Sequence, residues 1–118
     1  MIEITYEPEK YRLTLQGHAG AGVVGQDLIC CAASALTYTA AANVRAMQKK
    51  GWLRKAQLRL QPGQGRIRCW PREGMESWVQ TRLDALCLGY LMLSREYPDF
   101  VRFRLIQKEE CNHDDKSA

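Results

Sequence analysis

From Gln26 to Gln48 the chain contains neither glycine nor proline, and the nine residues before it hold four glycines, Gly17, Gly20, Gly22 and Gly25. This pairing constrains the fold more than any other feature. A long run rich in Ala and Leu predicts a helix. The glycine-rich approach to it predicts a mobile loop that can adopt unusual backbone angles. Leu28, Ile29, Ala32, Ala33, Leu36, Tyr38, Ala41 and Val44 cover most of the helix circumference, which predicts burial in the centre of the fold or at a subunit interface. Asp27 falls in the first turn, where the helix dipole favours an acid.

The rest of the chain divides cleanly. Ile2, Ile4 and Tyr6 alternate with polar residues, and Tyr11, Leu13 and Leu15 do the same after the turn Glu7-Pro8-Glu9-Lys10, predicting a hairpin. Gly51 ends the first helix. Leu58 and Leu60, then Ile67 and Cys69, flank the turn Pro62-Gly63-Gln64-Gly65 and predict a second hairpin. Val79, Leu83, Leu86, Tyr90, Leu93 and Tyr97 form the apolar stripe of a second helix from about Met75 to Tyr97, which Pro98 stops. Val101, Phe103 and Leu105 alternate into a fifth strand. The order β-β-α-β-β-α-β predicts an α+β fold: a mixed, mostly antiparallel sheet packed by two helices. Residues 1–118 read as a single domain, with residues 108–118 a polar, frayed tail.

With 118 residues, 46% apolar and 25% charged, the chain can bury a modest core without metal or disulfides. It has no apolar run long enough for a membrane span and no secretory h-region, so a cytoplasmic location is expected. The five cysteines are odd in number, and Cys30 and Cys31 are adjacent, which argues against a disulfide framework. The formal charge of +4 is mildly basic. Its densest cluster, Lys49, Lys50, Arg54 and Lys55, reads as a helix end and loop.

Chemistry concentrates at the glycine loop. Helical register puts Asp27, Cys30 and Ser34 on one face, with Cys30 about one turn from the helix start, where unpaired amides favour a thiolate and supply a candidate oxyanion hole. His18, across the flexible loop, is a candidate base for the Cys30 thiol. Asp27 is a candidate to orient that imidazole or to cap the helix, and Ser34 to hydrogen-bond near the sulfur or a substrate carbonyl. Each residue also has a plain structural reading: a packed cysteine, a solvated histidine, a helix-start acid, and a serine bonded to its own helix. Spacing alone does not choose between the two.

The pattern Gly17-His18-Ala19, a glycine-containing spacer, then Gly25, Asp27, Cys30, Ala32, Ser34, Ala35 and Leu36 resembles the ribosomal-processing cysteine protease (Prp) family. The resemblance implies a cysteine endopeptidase with Cys30 as nucleophile and His18 as its base, and no cofactor. It implies a homodimer that clips the N-terminal extension of a large-subunit ribosomal protein after an aromatic residue. It also implies a loop, containing Gly17, Gly20, Gly22 and Gly25, that moves to admit the substrate. Cys31 stands where that pattern leads one to expect a small residue. It points about 100° away around the helix and reads as packing.

Two other classes compete. Gly20-Ala21-Gly22-Val23-Val24-Gly25 matches a dinucleotide fingerprint, but the next acid after Asp27 is Glu73 and the helix leads into a hairpin, which removes the ribose partner. The alternative function is a non-catalytic ribosome- or RNA-associated module, for which Arg66 with Arg68 and Arg102 with Arg104 would form a basic stripe. These arginines equally suit the solvent face of a sheet, and nucleic acid is not among the expected partners. Without a Cys-x-x-Cys pair, and with Cys111 and His113 in the polar tail, no metal site is expected.

Overall fold

The computed structural model describes residues 1–17 and 24–107, with the side chains of the first helix described from Leu28 onward. Five strands and two helices follow the expected order: β1 (Ile2–Glu7), β2 (Arg12–Gln16), α1 (Val24–Lys49), β3 (Leu53–Gln61), β4 (Gln64–Pro71), α2 (Glu76–Glu96) and β5 (Val101–Leu105). They form one sheet in the order β3-β4-β2-β1-β5. Only the β1–β5 pairing is parallel, and the other three are antiparallel.

Alternation decides which face is buried. Ile2, Ile4, Tyr6, Leu13, Leu15, Ile67, Cys69 and Val101 point to the helices and are each at most 9% exposed. Ile29, Ala33, Ala40, Val44 and Met47 of α1 and Val79, Leu83, Cys87 and Tyr90 of α2 meet them. Both helices cover the same face and leave the other open, the arrangement an antiparallel sheet tolerates when that face is polar. Helix α1 buries one stripe only. Its far side shows Leu28 and Tyr38 to solvent.

Helix α1 ends in a Schellman motif. Gly51 takes φ +78°, its N–H bonds the Gln48 carbonyl at 3.0 Å, and the Trp52 N–H bonds that of Met47 at 3.0 Å. Those bonds satisfy carbonyls that the helix end would otherwise leave orphaned. On the α2 side, the Thr37 hydroxyl donates to the Ala33 carbonyl at 2.8 Å. Its oxygen is therefore left to accept from the fully buried Tyr90 hydroxyl, also at 2.8 Å.

Four expectations are corrected. Tyr11 is not a strand residue: it adopts φ 50° and returns its N–H to the Pro8 carbonyl, closing a one-turn 3-10 helix over Pro8–Lys10. Strand β3 begins at Leu53, so Arg54 and Lys55 lie in the sheet and not in a loop. Helix α1 begins at Val24, which takes Gly25 out of the loop and into the first turn. Cys31 is exposed and not packed, because one residue around the helix from Cys30 faces solvent.

Candidate active site

A cleft of about 460 Å³ opens between α1 and the β3–β4 hairpin. Cys30, Ala33, Ser34, Thr37 and Tyr38 supply its helix side, at helical spacing. Leu15, Leu60 and Ile2 give it apolar walls, and the turn residues Gln61 to Gly65 close the opposite rim. The size and mixed lining suit a small ligand or a short stretch of peptide.

Gly17 lines the cleft as well. It has φ +102°, and its N–H donates to the Gly63 carbonyl at 2.9 Å. A side chain there would collide with the Met1 carbonyl oxygen. Glycine is therefore required on two counts, backbone angle and space, at the point where the chain leaves β2 for the loop.

The structure brings together three of the residues singled out from the sequence, Gly17, Cys30 and Ser34. Cys30 is half-buried, and Ser34, one turn further on, is exposed at the same cleft. Asp27 lies in the first turn of α1, with a side chain outside the described set, and Gly25 is also in that turn. His18, Gly20 and Gly22 lie outside the described residues, as do Cys111 and His113.

The earlier helix start changes the electrostatics at Cys30. Val24 and Cys30 are six residues apart, so the unpaired amides of the first turn, from Val24 to Gln26, sit about 6–9 Å from the level of Cys30 along the axis. The helix dipole acts mainly over the first turn. Cys30 is therefore the seventh residue of the helix, about half a turn deeper than its spacing implied, where the free amides and the dipole act more weakly.

The other described thiols are chemically quiet. Burial pushes the Cys69 thiol up to about 11. Burial, with the Asp84 carboxylate adding to it, pushes Cys87 up to about 12. At neutral pH both stay protonated in the core, which leaves Cys30 and Cys31 as the accessible thiols among the described residues. No group of three or more His, Cys, Asp or Glu among the described residues is placed to hold a metal ion. No helix among them is long and apolar enough to cross a membrane.

Sequence reasoning missed Thr37, Tyr38 and the hairpin rim. Extending the Cys30 register by two turns would have found Thr37 and Tyr38. The rim read only as a turn, because nothing local shows that it folds back over α1.

The class follows from this geometry: a two-layer α+β fold whose first helix presents an accessible cysteine to a partly apolar cleft. The model of the family described as Cysteine protease Prp matches residues 1–102. The chain belongs to this family and is a cysteine protease.

Solved structures share the fold. One is described as an essential ribosomal processing protease Prp from S. aureus in complex with a covalently linked product peptide. It is 22% identical with a TM-score of 0.66, covering 90% of this chain and 100% of that one. The S. aureus protease with a substrate peptide is also 22% identical, with a TM-score of 0.63 over 91% and 97% of the two chains. SMU.848 from Streptococcus mutans is 23% identical, with a TM-score of 0.63 over 91% and 93%. No curated protein matches the chain.

Proposed function

We propose that this cysteine protease removes the N-terminal extension of a large-subunit ribosomal protein, with Cys30 as nucleophile and His18 as general base. One observation carries the assignment of the nucleophile: of the two accessible thiols among the described residues, only Cys30 lines the cleft, together with Ser34 and Gly17. His18 follows directly in sequence on Gly17, which lines the same cleft. Family membership and the peptide complexes of the S. aureus protease support a peptide substrate.

The chemistry proceeds in two halves. The Cys30 sulfur attacks the scissile carbonyl carbon while its proton passes to the His18 imidazole. The C–N bond then breaks, and the imidazolium returns that proton to the leaving amine. Water attacks the resulting thioester, giving a proton to His18. The C–S bond breaks, the carboxylic acid leaves, and the sulfur regains its proton. Asp27 orients the imidazole, and Ser34 hydrogen-bonds beside the sulfur or to the substrate carbonyl. The loop carrying Gly20 and Gly22, anchored at Gly17, opens to admit an extended peptide and closes to align His18. The apolar walls Leu15, Leu60 and Ala33 suit an aromatic residue before the cleaved bond.

The enzyme works without a cofactor, in the cytoplasm, as a homodimer. The exposed apolar side chains Leu28 and Tyr38 of α1, and Leu88 and Met92 of α2, are its candidate contact surfaces. The test is cleavage of a peptide spanning the ribosomal protein's N-terminal junction by Cys30→Ala, His18→Ala and Cys31→Ala variants. Loss of cleavage in the first two and retention in the third is expected. Cleavage by Cys30→Ala or His18→Ala at the wild-type rate would overturn the assignment of these two residues.

A further inference from the structure

The face of the sheet that the helices leave bare is strongly basic. Arg59 of β3 stands opposite Arg66 of β4, Arg66 opposite Thr14 of β2, Thr14 opposite Thr5 of β1, and Thr5 opposite Arg104 of β5. That single row crosses all five strands, about 19 Å at the usual strand spacing. In the next row Arg68 stands opposite Arg12, and on the other side Arg102 stands opposite Glu3. Lys55 and Arg68 both lie over the ring of Trp70, at 4.8 and 4.6 Å.

Folding alone does not account for this distribution. Like charges directly across a strand pair destabilise a sheet, yet Arg59–Arg66 and Arg12–Arg68 are two such pairs. Among the described residues the one ion pair on the face joins Arg12 to Glu7 at 2.6 Å, and the same carboxylate acts on Arg68. Arg59, Arg66, Arg102 and Arg104 are exposed and form no ion pair among the described residues. A face that served solubility alone would mix its signs more evenly.

We propose that this open sheet face binds RNA. Arginine accounts for every cation on the face except Lys55, and its planar fork holds phosphate oxygens bidentately where lysine offers a point charge. Guanidiniums set in register across an open sheet face suit a phosphate backbone. Among the described residues the face has no large exposed apolar side chain, its Trp70 ring being half-buried beneath Lys55 and Arg68; the exposed ones lie on the helices, at Tyr97 just after α2, at the chain start and on the Leu105–Ile106 edge. A membrane-docking surface needs such groups for insertion. The face also borders the cleft. Gln61 and Gln64 line the cleft rim, and Arg59 and Arg66 are the next outward pair on the same hairpin. Binding itself stands on the sheet alone. Its use, holding the cleft beside a substrate carried on a ribosomal particle, rests on the proposed function.

The experiment measures fluorescence anisotropy of a labelled RNA hairpin with the full chain over a salt series. Wild type binds with log affinity falling by about three to four units per log unit of salt, as expected for release of counterions from four or five phosphates. Arg59→Glu combined with Arg66→Glu weakens binding at least tenfold and flattens the slope, while cleavage of free peptide is unchanged. Arg66→Gln with Arg104→Gln, which removes charge without reversing it, weakens binding in the same direction and guards against a folding defect in the first variant. Three results would overturn the proposal: no RNA binding by wild type, binding unaffected by either variant, or equal arginine-dependent binding to phosphatidylserine vesicles or polyglutamate. RNA binding by a wild-type chain that leaves the ribosomal-protein junction peptide intact would count against the proposed substrate alone.

Discussion

Replacing Gly17 with alanine tests how the cleft is built. Two costs add. At φ +102° an L-residue is strained by about 1–2 kcal/mol. The new Cβ also runs into the Met1 carbonyl oxygen. That oxygen cannot simply turn aside: the Met1–Ile2 peptide is planar, its N–H is held by the Phe100 carbonyl at 2.8 Å, and Ile2 is 5% exposed in the core. Forced overpacking of this kind costs about 1–3 kcal/mol, for a total of about 2–5 kcal/mol. Gly51→Ala is the control. It has φ +78° and nothing within 4 Å of the added atom, so it bears the backbone cost alone, about 1–2 kcal/mol. At about 4 °C per kcal/mol for a chain of this size, the melting temperature falls by about 8–20 °C for Gly17→Ala and about 4–8 °C for Gly51→Ala. Urea unfolding of both variants beside wild type reads the difference. Equal losses would refute the steric argument, and no loss at Gly17 would refute the whole account of that position.

Two further predictions rest on buried groups. Burial pushes Cys69 to about 11 and Cys87 to about 12, and burial also raises Tyr6, further held by its 2.6 Å bond to Asp84, and Tyr90. All four hold their protons more tightly folded than unfolded, so stability is fully present below pH 8. It falls as pH rises past the ordinary values near 9 and 10, where the unfolded chain sheds protons first, by about 1 kcal/mol for each buried thiol at pH 10. Chemical denaturation at pH 7, 9 and 10 checks this, and a flat profile would contradict it. Thr37→Val leaves the buried Tyr90 hydroxyl without an acceptor and costs about 1–3 kcal/mol. Tyr90→Phe, which removes the hydroxyl itself, costs less, and the reverse order in thermal denaturation would show that the bond does not matter.

The fold was legible because its signals are local. Alternation in β1, β4 and β5 marked the buried face, and the glycine- and proline-free run marked α1. Legibility failed where tertiary contact overrides the pattern. Tyr11 has the right period for a strand but closes a turn instead. Gly25 looks like loop but is helical, because α1 starts two residues before the first glycine-free stretch. Helical register brought Cys30 and Ser34 to one face, and both line the cleft. It could not show the β3–β4 hairpin coming back over α1 to form the opposite rim, because that contact joins segments distant in sequence. The basic face is a similar case. Each arginine pair is visible in its own strand, but only the strand order puts Arg59, Arg66 and Arg104 in one row.

The central claim is that Cys30 is the nucleophile, and trapping it is the most direct test. A peptide ending at the cleavage site and carrying a chloromethyl ketone is incubated with the wild-type chain, and the modified cysteine is located by mass spectrometry. One adduct per chain is expected, on Cys30, blocked by an excess of the cleavable peptide and lost in His18→Ala at neutral pH. An adduct on Cys31, or labelling of Cys30 no faster than an ordinary thiol, would contradict it.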